Sequence, residues 1–225
     1  ALSNFHNIHR GKRCFILGNG PSLNNTDLTK LKEEYTFGAN RIYLLFEKLG
    51  FETSYYLSVN KNISEQWSNE ILNIQCPKFI SLESSKYFPG SVESLFYLPH
   101  EDAGSPAFFK DITQGLWWGA TVTYVSMQMA YFMGFEEVYL IGVDHYFKTK
   151  GQAHSLVQNN EDDENHFDPN YFKGKKWQLP DLETSELAYR LAKFSYEHSG
   201  RTIKDATVGG HLDIFEKINY ESLFW

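Results

Sequence analysis

The sequence predicts an α/β fold: a mostly parallel, twisted sheet flanked by helices, with one long insertion. Three observations carry this. Short apolar runs alternate along the chain with helix-like segments, the rhythm of βαβ units. The run EVYLIG, residues 137–142, is apolar almost throughout, as a strand covered on both faces must be. The stretch FILGNGPSL, residues 15–23, reads as a strand that stops at a glycine turn and then enters a polar, helix-like segment.

The elements follow in order. Residues 13–17 are the first expected strand, and residues 22–33 a helix with Ser22 as its N-cap. A second strand over 35–39 leads to a helix over 41–48. A third strand, SYYLSV at 54–59, leads to a helix over 64–72. Pro77 precedes a fourth strand over 78–82, and a short fifth covers 95–98. A small-residue helix over 120–133 is ended by Gly134, and EVYLIG follows it. An amphipathic helix over 181–199 ends at Gly200, before a last strand over 202–204. Residues 145–178 break the rhythm: they have no clear period, and such segments inside compact folds are commonly lids or binding loops. The expected organisation is one Rossmann-like nucleotide-binding domain over 1–225, with a lid inserted at 145–178.

Composition narrows the function. The 225 residues are 42% hydrophobic and 16% aromatic, which fits a well-packed globular protein. A net charge of −7 argues against a nucleic-acid partner, since phosphate neutralisation needs a basic surface. Cys14 and Cys76 stand alone, which suits free thiols in a reducing compartment. No apolar run approaches the roughly 20 residues that span a bilayer, and the first residues carry no signal-peptide pattern. The expectation is a soluble, cytoplasmic protein; peripheral membrane association and a homo-oligomer both stay open.

In FILGNGPSL, Gly18 and Gly20 allow close approach of a ligand, and the N-terminus of a following helix would face an anion. Pro21 removes one donor and no Lys-Ser/Thr pair follows, so a triphosphate-gripping P-loop is disfavoured. A tight strand-to-helix connection needs the same glycines. Asn19, Asn40 (in FGAN) and Asn60 (in LSVN) each end one of three successive strands. An asparagine amide suits the hydroxyls and ring edges of a nucleoside or sugar, although each residue alone also suits a helix cap or turn.

The strand EVYLIG runs into GVDHYF, placing Asp144, His145 and Tyr146 at the same edge. His166 lies downstream in NHFDPNYF. Histidine suits a general base near neutral pH, and tyrosine can donate to a departing phosphate oxygen. The plainer reading of His145 is a strand-end histidine bonded to backbone. His166 could also join Asp162, Asp163, Glu164 or Asp168 at a metal, but the acidic run reads more simply as a solvated loop, so no metal site is expected. Lys175 and Lys176, with Trp177, could meet an anion or form a solvated rim.

Together ILGNGPSL, the strand-end asparagines and TYVSMQMAYFMGFEEVYLIGVDHYF resemble the bacterial sialyltransferases of glycosyltransferase family 42. NHFDPNYF and ATVGGHLDIFEKINYESLF resemble the related MptE-like group, the domain of unknown function numbered 115, which includes putative glycosyltransferases and a 6-hydroxymethylpterin diphosphokinase. The resemblance runs from about residue 13 to 224. It implies a sialyltransferase-like fold and metal-independent, inverting transfer of a sugar, sialic acid or a relative, from a CMP-sugar donor to a glycan acceptor, with no cofactor. It also implies that Gly18, Asn19, Gly20, Pro21 and Ser22 cradle the nucleotide, with Asn40, Asn60, Thr121 and Asp144 near the donor. Tyr146 would then stabilise the leaving phosphate, and His166 would be the base. The chain departs from the sialyltransferases at LWWGAT, residues 116–121, where an arginine is expected. A rival expectation is an ATP- and Mg²⁺-dependent diphosphokinase with Asp144, Asp162 and Asp163 near the metal; another is a nucleotide-binding module without catalysis.

Overall fold

The computed structural model describes residues 1–90, 92–101, 105–148 and 151–224. The strands are β1 (Arg13–Leu17), β2 (Thr36–Ala39), β3 (Tyr55–Ser58), β4 (Lys78–Ser81), β5 (Leu95–Leu98), β6 (Glu137–Ile141), β7 (Leu156–Asn159), β8 (Lys175–Gln178), β9 (Thr202–Asp205) and β10 (Glu216–Lys217). The helices are α1 (Phe46–Leu49), α2 (Lys61–Asn73), α3 (Val122–Phe132) and α4 (Leu182–Glu197). Eight strands form one sheet in the order β10-β9-β6-β1-β2-β3-β4-β5. Every neighbouring pair in it is parallel. This is the Rossmann-like α/β fold that the sequence predicts.

Period-two alternation within buried strands builds a core on each face. Cys14 and Ile16 of β1 join Leu57, Phe79 and α3 residues on one side. Phe15 and Leu17 join Tyr56, Ile80 and Ile71 of α2 on the other. Helix α3 is buried nearly all round, from Tyr124 through Ala130, which explains its apolar composition. Both cysteines are free thiols.

Strand order reverses at β1, which lies between β2 and β6. In open parallel sheets the crevice beyond the carboxyl ends at such a point is where ligands bind. The glycine turn leaves β1 there, and GVDHYF leaves β6.

Three expectations are corrected. Residues 22–33 form two 3₁₀ turns, Pro21–Asn25 and Leu28–Leu31, rather than one helix. The residues between favour local bonds over a helical ladder: Thr26 Oγ1 donates to the Ser22 carbonyl, and Asp27 caps the second turn through the Thr29 N–H. Ser22 therefore caps nothing; the first turn's N-cap position is Gly20. Second, the 145–178 stretch holds the antiparallel pair β7–β8, with Val157 opposite Trp177; its residues 149 and 150 lie outside the described set. Third, β10 adds a short edge beyond β9. Among the described residues, no helix is long and apolar enough to cross a membrane.

Candidate active site

A cleft of about 580 Å³ opens at the switch point. Gly18, Asn19, Gly20, Asn40, Asn60, Thr121, Asp144, Tyr146 and His166 all line it, although they come from six separate parts of the chain. Pro21, Ser22 and His145 do not. His145 turns toward α4, with Nε2 3.2 Å from Glu186 and its ring against Tyr189. That removes it as a candidate for chemistry in the cleft.

The glycine turn is closed upon itself. A Cβ on Gly18 would fall on the Gly142 carbonyl, and one on Gly20 on the Asp144 carboxylate. The Gly18 N–H donates to the Ile141 carbonyl and the Gly20 N–H to the Gly142 carbonyl. Asp144 accepts from the Ser22 N–H at 3.2 Å and from the Ser22 hydroxyl at 2.7 Å. The N–H groups of Gly18, Gly20 and Ser22 are thus spent on β6 and the segment after it. This corrects the expectation of a phosphate cradle running through Ser22.

Other amides are free. Among the described residues, the N–H groups of Asn19, Lys61, Val122 and Leu182 have no acceptor, and all four residues line the cleft. The last three open α2, α3 and α4, so three helix N-termini converge on one space. Asn60, Thr121 and Asp181 cap them through Asn62, Thr123 and Thr184. Asn60 thus has the capping duty that the sequence reading weighed against binding, and Thr121 has one as well. Asn19 and Asn40 differ. Asn19 donates to the Ala39 carbonyl, while the side-chain oxygens of both asparagines are buried without a partner. Buried acceptors of that kind are costly unless a ligand supplies a donor.

His166 is tightly placed. Its Nδ1 lies 2.9 Å from the Asp163 carboxylate, whose side chain is only 2% exposed. Asp163 also accepts from the Asn165 N–H. The imidazole stacks on Tyr171 with centroids 4.1 Å apart and planes 6° apart, and Phe172 and Trp177 meet it edge-on. With Nδ1 directed to a carboxylate, Nε2 is the nitrogen left for a ligand.

The loop bearing His166 is fastened down. The Phe167 N–H donates to the Asn19 carbonyl, and Asn24 donates to the Phe167 carbonyl at 2.8 Å. Arg41, just after β2, donates from its backbone to the Tyr171 hydroxyl and from its guanidinium to the carbonyls of Asn170 and Tyr171. That guanidinium also lies over the Trp67 ring. Burial pushes the Tyr171 hydroxyl pKa up, keeping it a neutral phenol.

The acidic residues do not converge. Asp162 pairs with Lys173, Glu164 with Lys148, and Asp144 with Ser22. No group of three or more His, Cys, Asp or Glu side chains suited to a metal occurs among the described residues. The donor set expected for Mg²⁺ is therefore not assembled. Lys175 and Lys176 lie outside the cleft lining.

Sequence reasoning missed the role of Asp163 and the pairing of His154 with Asp181. The pattern Asp-x-x-His at 163–166 was the available signal for the first. His154 had none.

No curated protein matches the sequence. Among solved structures, the MAf glycosyltransferase from Magnetospirillum magneticum AMB-1 aligns with 98% of this chain at a TM-score of 0.58 and 15% identity. The chain spans 38% of that protein's length, and the likeness is one of fold. The sialyltransferase CstII from Campylobacter jejuni, solved with the substrate analogue cytidine-5′-monophosphate, aligns with 93% of this chain and 85% of its own at a TM-score of 0.44 and 16% identity. The family model for 6-hydroxymethylpterin diphosphokinase MptE-like proteins matches residues 1–150, two thirds of the chain, including the glycine turn, Asn40, Asn60, Thr121 and GVDHYF. The chain belongs to the MptE-like family.

Proposed function

We propose that the protein is a glycosyltransferase that moves a sugar from a nucleotide donor of the CMP-sugar class to a hydroxyl of a glycan acceptor, with inversion and without a metal. The observation that carries this reading is the Asp163–His166 pair on the wall of the switch-point cleft. His166 Nε2 takes the proton of the acceptor hydroxyl, whose oxygen forms the new bond to the anomeric carbon. The bond from that carbon to the phosphate oxygen breaks on the opposite face, and its electron pair leaves with the nucleoside monophosphate. Tyr146, exposed on the cleft wall, donates to the departing phosphate. The unpartnered oxygens of Asn19 and Asn40 accept from hydroxyl or amino groups of the donor. A monophosphate leaving group carries less charge than a diphosphate, and hydrogen-bond donors serve it without a cation.

The test is His166→Ala. Transfer falls by roughly 10²–10⁴-fold, the usual worth of a positioned base, while CMP affinity stays within about twofold. Retained transfer would overturn the assignment.

A second reading is favoured by the family match itself: an ATP-dependent diphosphokinase acting on a pterin. Thermal shifts with CMP, CDP, UDP and ATP, each with and without Mg²⁺, separate the two, since stabilisation tracks affinity for the folded state. A Mg²⁺-independent CMP shift supports transfer from a CMP-sugar; an ATP shift that requires Mg²⁺ supports the kinase.

A further inference from the structure

The cleft holds a second histidine–aspartate pair, in surroundings opposite to the first. His154 lies just before β7, with Nε2 2.9 Å from the Asp181 carboxylate. Its side chain is 58% exposed, against 11% for His166. Its backbone is held in the left-handed region at φ +65°, uncommon for a non-glycine residue and a form of strain that collects at functional sites. The base of the β7–β8 pair fixes this geometry: the His154 N–H donates to the Leu179 carbonyl, and its own carbonyl accepts from the Gln178 amide.

Asp181 is a firm anchor. It accepts from the Thr184 N–H at 2.9 Å and the Thr184 hydroxyl at 2.7 Å while capping α4. Burial pushes its carboxyl upward, but the Thr184 bonds and the His154 contact more than offset this, leaving it below the ordinary carboxylate value. With Nε2 held by the Asp181 carboxylate, Nδ1 is the ring nitrogen left to meet a ligand, and in the imidazolium form it is a donor.

Charge on the cleft wall defines the need. Glu83, Asp144 and Asp181 line it, and Lys61 is the one lysine or arginine there among the described residues. A phosphate entering this space meets helix N-termini and one lysine, and a second positive group would offset the three carboxylates. His166 has to be neutral to accept a proton, so the exposed histidine is the one free to carry charge. Two like groups placed in contrasting environments are how acid and base roles are divided within one site.

We propose that His154, held by Asp181, is the phosphate-binding cation of the cleft and donates from Nδ1–H to the phosphate oxygen that gains charge as the sugar leaves. The proton stays on the imidazole, because a phosphate dianion is stable in water near neutral pH. This rests on the reading of the cleft as a nucleotide site.

The experiment compares CMP with cytidine by calorimetry in the wild type, His154→Gln and His154→Lys. Glutamine can keep a hydrogen bond to Asp181 without the charge, and the site is exposed, so folding is preserved. CMP affinity falls about tenfold in H154Q, is kept within about threefold in H154K, and cytidine affinity is unchanged in both. Between pH 5.5 and 8 the advantage of the wild type over H154Q for CMP shrinks as pH rises. The phosphate itself titrates near pH 6 and is common to both proteins, as are Lys61, Glu83, Asp144, Tyr146, His166 and Asp181, so the difference isolates the imidazole. Equal CMP affinity in the wild type and H154Q would overturn the role of His154 while leaving the nucleotide reading intact. A wild type that binds neither CMP nor cytidine would overturn the nucleotide reading, and this proposal with it.

Discussion

The amide of Phe167 donates to the carbonyl of Asn19 at 3.0 Å. One hydrogen bond thus joins the residue after the proposed base to the glycine turn that follows the first strand. His166 and the glycine turn are thereby held together by backbone, with Asn24 closing the same contact from its side chain. Placement of this kind preserves the short distances that proton transfer requires.

Asp163→Asn separates orientation from mere packing. One oxygen of residue 163 accepts from the Asn165 N–H, which fixes the amide so that its NH₂ faces His166 Nδ1. That nitrogen must then accept, and the ring proton moves to Nε2, the wrong tautomer for a base. Transfer falls about 10²-fold, CMP affinity holds, and ¹⁵N shifts of His166 report the changed tautomer. An unaltered tautomer would place the effect elsewhere.

The two turn glycines respond differently to alanine. Gly20→Ala falls chiefly on the Asp144 side chain, with the Gly142 carbonyl oxygen 2.9 Å away, and costs about 1–3 kcal/mol. Asp144→Ala costs about 1–3 kcal/mol by leaving the buried Ser22 donors unmade. The double variant is less destabilised than the sum, by at least about 0.5 kcal/mol in denaturant titrations. Gly18→Ala meets backbone at Gly142, and Asp144→Ala gives no such relief.

His9 sets an acid sensitivity far from the cleft. It is buried between Tyr35 and Phe135 and bonded to the Tyr55 hydroxyl, and burial lowers its pKa below the ordinary 6.5. Between the two values the unfolded chain binds a proton that the native state does not, so stability rises with pH across that window and is lost on acidification. His9→Phe keeps the ring stacking and flattens the dependence of Tm on pH below about 6.5.

Arg41 ties the insertion to the end of β2. In Arg41→Met the amides of residues 163–172 exchange about tenfold faster or more, while those of β1 and β6 are unchanged. Equal exchange in both proteins would show that the Phe167 contacts suffice.

The sheet was largely legible because its strands are buried on both faces. Strands β1 and β5 match their expected bounds, and the cleft follows from β1 lying between β2 and β6. Residues 22–33 misled because their apolar positions, Leu23, Leu28 and Leu31, fit a helix, whereas Thr26 and Asp27 divert the backbone into tighter turns. The β7–β8 pair was hidden by its exposure: Lys175, Lys176 and Gln178 face solvent, and Trp177 alone is buried. His154 and Asp181 are 27 residues apart, and only the folding back of this pair brings them together. The bond between Ser22 and Asp144 spans 122 residues and left no local trace.

The tether at Arg41 and Tyr171 divides the insertion into two parts with separate fates. The stretch around His166 is fastened to the segments that follow β1 and β2. The β7–β8 pair turns lysines and glutamines to solvent, with Trp177 as its buried contact to His166. Under the transfer reading proposed above, selection can retune which acceptor is received by rewriting the exposed positions of that ribbon, leaving His166 and Asp163 as inherited.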